Sequence, residues 1–165
     1  MVTLNEILNN FHESAPQSLG MAAISDLEKQ GGISLPRPLR VMLQNFNGGQ
    51  LNIGYTIQWP DSGFVGGFGA AHLVQFYGID RAEHLSIRPL QDYFDATGHA
   101  VSGVPASKYV FADDWGGNPM TFDAIDGSIG SVDHETFGER FTDPETHWTI
   151  AEDFADLFQK LFPAE

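Results

Sequence analysis

Cysteine is absent from the chain, which excludes disulfide staples and thiolate metal centres. Positive charge is scarce: 8 Lys and Arg stand against 22 Asp and Glu, a net of −14. A surface of that sign repels phosphate backbones, so nucleic acid is not an expected partner. No apolar run reaches the ~18 residues of a membrane span. Met1-Val2-Thr3-Leu4-Asn5-Glu6 also lacks the basic start and apolar middle of a secretory leader. Together these absences predict a soluble, cytoplasmic protein with no membrane partner.

Signatures of chemistry are missing as well. His12, His72, His84, His99, His134 and His147 form no His-Glu-x-x-His pair. His134-Glu135 is the one adjacent His–carboxylate couple, and neighbours along a strand face opposite ways, so they would not chelate one metal. The stretch Gly63 to Gly69 has no Gly-Lys-Ser/Thr ending, and His72 stands where a dinucleotide fingerprint needs glycine. It reads as a turned loop. Asp113, Asp114, Asp123, Asp126 and Asp133 lack the spacing of a calcium loop. Asp126 suits a turn, and Asp113-Asp114 can accept from turn amides. No Gly-x-Ser-x-Gly elbow is present. Neither metal nor cofactor is expected, and the prediction is a protein that is not an enzyme. A small hydrolase stays open only if folding buries a carboxylate beside a concavity.

What is present is enough for a core. Hydrophobic residues make up 42% of the 165 positions, including 13 Phe, which predicts one folded domain over 1–165. Thr3-Leu4-Asn5-Glu6 is a capping box, followed by Leu4, Ile7, Leu8 and Phe11 at helical spacing. A second helix is predicted over about 18–30, stopped by Gly31-Gly32. Leu35-Pro36 then opens a third, with Leu39, Met42, Leu43 and Phe46 on one face and Asn47-Gly48-Gly49 as its end. Strands are predicted at 55–59, 72–77 and 108–112, with a short helix over about 86–96 despite Pro89. Met120 to Val132 reads as a hairpin about Asp126-Gly127, a pair suited to a two-residue type I′ turn. A second capping box, Thr149 to Glu152, predicts a C-terminal helix carrying Ile150, Phe154, Leu157, Phe158 and Leu161. Helices, then strands, then a helix predict an α+β domain with helices on a mostly antiparallel sheet.

The acidity is uneven. Residues 1–112 carry nine acids and six bases, whereas 113–165 carry thirteen acids and only Arg140 and Lys160. The acidic segment opens on Asp113-Asp114-Trp115-Gly116-Gly117-Asn118. There a tryptophan either folds back over the sheet or stands out as an anchor for a partner.

Several of these pieces occur in an order that resembles the SUKH superfamily. They are the Leu35-Pro36 link, Asn47-Gly48-Gly49, Tyr77-Gly78-Ile79, and the strand running from Phe111 into Asp113 to Asn118. Gly130 to Glu135 follows, and then a final helix entered by Ile150-Ala151 with Phe154. Residues 63–69 and 79–103 carry no part of the pattern. The superfamily includes bacterial toxin-immunity proteins and a fungal cell-wall assembly regulator. The resemblance implies a non-catalytic domain that binds a protein, in particular a cognate toxin of nuclease-like or other basic kind. A regulatory scaffold is the alternative. The expected contact surface is Asp113, Asp114, Trp115 and Asp126, with Asp133 and Glu135.

Overall fold

Local sequence chemistry sets the N-terminal helices. The structure, a computed structural model, describes residues 1–60, 68–81, 85–133, 140–142 and 146–164. Helix α1 (Leu4–Asn9) begins at the capping box, where the Thr3 hydroxyl accepts from the Glu6 amide and the Glu6 carboxylate accepts from the Thr3 amide. Helix α2 (Met21–Gly31) follows, and α3 (Arg37–Asn45) starts behind Pro36 with Leu39, Met42 and Leu43 buried. No helix among the described residues is long and apolar enough to cross a membrane.

Beyond Asn47 the chain becomes sheet. Strands β1 (Gly49–Pro60), β2 (Phe68–Phe76), β3 (Arg88–Pro89), β4 (Lys108–Asp114), β5 (Pro119–Asp123), β6 (Ile129–Val132), β7 (His147–Ala151) and β8 (Phe162–Pro163) pair antiparallel. Their order is β7-β6-β5-β4-β2-β1-β8, with β3 beside β4. The sheet curls: the rings of Trp59 on β1 and Trp148 on β7, near opposite ends of that order, lie 6.2 Å apart. Helix α5 (Phe154–Lys160) runs between β7 and β8, so the chain crosses from one side of the curl to the other. A chain of rings fills the core, Phe46–Phe11–Phe76–Phe111–Phe154–Phe158, with centroids 4.6 to 6.1 Å apart.

Two short motifs far apart in sequence interlock at the helix-to-sheet junction. The Asn47 side chain accepts from the Ile79 amide at 2.7 Å and donates to the Ile79 carbonyl at 2.9 Å. Gly48 has φ +72°, and a Cβ there would lie 2.6 Å from the Gly78 nitrogen and 2.8 Å from the Phe76 carbonyl. A Cβ on Gly78 would meet the Asn47 carbonyl in turn. Asn47-Gly48 and Tyr77-Gly78-Ile79 are therefore two halves of one joint, closed because neither backbone carries a side chain at the crossing.

Several expected elements differ in the structure. The predicted 55–59 strand extends back to Gly49 across an irregularity between Gln50 and Tyr55. There Asn10 bonds both backbone groups of Ile53, which hid the strand from any alternation test. The helix expected over 86–96 is α4 (Leu90–Thr97), with Pro89 as its N-cap and in a strand bridge to Tyr109. The expected two-residue turn at Asp126-Gly127 is a four-residue loop, since the Asp123 amide already donates to the Ser128 carbonyl. Only Gly127 in that loop has positive φ, where a type I′ turn needs two such residues. The capping box expected at Thr149 does not form. Residues 147–151 pair with β6 instead, and Asp153 caps α5 by accepting from the Asp156 amide at 2.8 Å. Residues 63–67 of the glycine stretch lie outside the described residues.

Candidate functional site

The β4–β5 turn is fixed by a buried acid. Asp114 is 7% exposed, and its carboxylate accepts from the Asn118 amide at 2.8 Å and from the Asn118 side chain at 3.1 Å. The Gly117 amide donates to the Asp114 carbonyl, and the Trp115 amide donates across to the His72 carbonyl on β2 at 2.9 Å. With its backbone tied at both ends, the turn leaves the Trp115 side chain 82% exposed. Folding back over the sheet, one of the two expected arrangements, is not what occurs. An exposed indole on a tied backbone forfeits its own burial and suits an anchor.

Trp115 lines two grooves. One, of about 470 Å³, runs between Trp115 and the exposed side of β1 and β2, where His72, Val74, Gly54 and Ala164 line it. The other, of about 320 Å³, lies against Gln50, Gln75 and Asp113. A separate depression of about 410 Å³ is lined by Met1, Ile53 and Phe162, all three exposed apolar side chains.

Asp113 is the acid at this end whose protonation the fold perturbs. Burial pushes its carboxyl up to about 6; the Tyr77 hydroxyl pulls back and the Asp114 carboxylate pushes further the same way. Tyr77 donates to Asp113 Oδ2 across 3.4 Å, a long bond. Burial first, and then the Asp113 charge, raise the Tyr77 phenol. Tyr93 moves the same way for the same leading reason, with the Arg88 guanidinium stacked 5.3 Å from its ring. Asp113 makes no ion pair with another described residue. A carboxylate partly stripped of water beside a concavity is a candidate functional position, here with the Arg88 charge acting on the same two phenols, Tyr77 and Tyr93.

This arrangement has a thermodynamic signature. With the folded value near 6 and the unfolded value near 4, the Asp113 charge weakens the fold above pH 6, and the penalty fades as the pH drops to 4. Asp113→Asn keeps an acceptor for Tyr77 and is expected to stabilise the protein by about 1–2 kcal/mol at pH 7.5, with no gain below pH 4. Urea unfolding at both pH values measures this; a loss of stability at pH 7.5 would contradict it. The comparison must be made against the wild type at each pH, because buried His147 runs the other way. Its imidazole is lowered to about 4 by burial and by Lys108, so it removes stability as the pH falls from about 6.5.

The other predicted contact residues are dispersed. Asp133 follows β6 at the same end of the sheet as Trp115, its amide donating to the Thr146 carbonyl. Asp126 lies in the β5–β6 loop, accepting from the Ser128 amide at 2.8 Å. That loop is at the far end of β5, roughly 17 Å away for five residues of strand. Beside it Ile125 is 86% exposed. Glu135 and its neighbour His134 lie outside the described residues. Sequence reasoning missed His72, Val74, Gln50 and Gln75. Alternation along β2, with Ala71 and Leu73 inward, would have placed His72 and Val74 on the outer side. No three His, Asp or Glu side chains among the described residues converge as metal ligands.

The curled antiparallel sheet entered by three helices, with its interlocked Asn-Gly and Tyr-Gly-Ile joint, defines an α+β domain. The model of the SMI1 / KNR4 family (SUKH-1) matches residues 21–160, and the chain belongs to that family. The family includes toxin-immunity proteins and cell-wall regulators. No curated protein matches the chain.

Proposed function

We propose that the chain is a non-catalytic binding domain whose Trp115 end docks on a basic protein partner. The specific form we favour is an immunity protein that covers the active site of a nuclease-like or other basic toxin. The observation that carries this reading is the exposed indole of Trp115, held on a turn that buried Asp114 makes rigid. Preorganised aromatic anchors bind with little entropy loss. The net charge of −14 adds long-range attraction to a basic groove and speeds encounter, while the docked acid excludes phosphate substrate. Such a partner would be met in the cytoplasm.

Asp113 also favours a second reading, a small hydrolase, because it is a desolvated carboxylate beside a concavity. Co-expression with nuclease-toxin domains separates the two. Under the binding reading, wild-type protein rescues growth and forms a complex on gel filtration that weakens as salt rises. Neither rescue nor complex, together with turnover of a small ester or phosphoester that Asp113→Asn abolishes, would overturn it.

A further inference from the structure

We propose that the groove of about 320 Å³ that Trp115 forms with Gln50, Gln75 and Asp113 is a receptor for one arginine side chain of the partner. The inference rests on the reading of this end as the docking face, and it names what that face recognises. The walls of the groove are of three kinds. Trp115 offers an indole face. Gln50 and Gln75, paired across β1 and β2, offer side-chain amides with no hydrogen bond to another described residue. Asp113 offers a carboxylate whose contact with Tyr77 is long and which no described cation neutralises. Asp114 contributes charge, but both its oxygens are engaged by Asn118.

Each wall answers one property of a guanidinium. Its flat, weakly hydrated face stacks on an aromatic ring, and its fork of five donors needs acceptors spread over more than one residue. A lysine ammonium is compact and strongly hydrated, so it matches the carboxylate but wastes the two amides and much of the indole. A neutral side chain would leave the Asp113 charge as poorly solvated as before. Burial of Asp113 supports the same choice, since a cation arriving in the groove replaces the water the fold has removed.

The test uses the intact chain and N-acetyl-arginine amide as probe, followed by NMR of the tryptophan indole and glutamine side-chain signals. The controls are N-acetyl-citrulline amide, which has the same shape without charge, and N-acetyl-lysine amide. Saturable shifts at Trp115, Gln50 and Gln75 are expected for arginine, at least roughly tenfold weaker for citrulline and weaker for lysine. Asp113→Asn should remove them and Asp126→Asn, the same charge change at the far end of β5, should leave them. Equal binding of citrulline, an unmoved Trp115 signal, or equal loss in both variants would overturn the proposal. If the arginine probe fails while the protein partner still requires Trp115, the receptor groove is wrong and the docking face stands. Should the partner ignore Trp115 as well, both fall.

Discussion

Trp115→Ala is expected to weaken the partner complex by roughly 30-fold or more, about 2 kcal/mol, while changing stability by no more than about 0.5 kcal/mol. The two halves follow from one fact: the side chain is 82% exposed, so the free protein loses almost nothing when it is removed. What fixes the turn is left intact. Asp114 still binds Asn118, and the residue 115 amide still reaches the His72 carbonyl. Isothermal titration gives the first number and urea unfolding the second. A large loss of stability would mean that the indole packs in solution, and an unchanged affinity would mean that the partner sits elsewhere.

Gly48→Ala is expected to be severely destabilising. Two terms add. Its φ of +72° strains any residue with a Cβ by about 1–2 kcal/mol. The new carbon would also lie 2.6 Å from the Gly78 nitrogen and 2.8 Å from the Tyr77 carbonyl carbon, both backbone atoms. Relief requires opening the joint that Asn47 closes on Ile79. The expected loss is about 3–5 kcal/mol, much of the stability of a domain this size. Gly98→Ala is the matched control, with φ +78° and nothing within 4 Å of the added carbon. It should lose only the strain, about 1 kcal/mol. Equal losses in the two variants, by urea midpoint, would show that the joint yields freely.

These residues also show where sequence could be read. The capping box at Thr3 and Glu6 was legible because its whole cause lies within four residues. The C-terminal box was misread because Thr149 to Glu152 has the same local form while Ile150 and Ala151 are claimed by the sheet. The order of Asn47-Gly48-Gly49 and Tyr77-Gly78-Ile79 pointed to the family; that the two are one joint was visible only once the chain had folded. At the site, Asp113 and Asp114 look equivalent in sequence. A one-residue difference in register gives Asp114 two hydrogen bonds from Asn118 and Asp113 only a long one from Tyr77. Trp115 had two expected arrangements, and the exposed one occurs on a turn whose backbone is tied to β2. Alternation along β2 marks His72 and Val74 as outward, but Gln50 comes beside Gln75 only through the pairing of β1 with β2, which no local pattern marks.

The most direct measurement is calorimetric titration of the protein partner recovered by co-expression, comparing Asp113→Asn with Asp126→Asn. Each removes one negative charge, so any general effect of acidity is the same in both. A roughly 30-fold or greater loss for Asp113→Asn and less than about twofold for Asp126→Asn is expected if recognition is seated at the Trp115 end. Equal effects would reduce the attraction to net charge alone, and an unimpaired Asp113→Asn complex would remove the site.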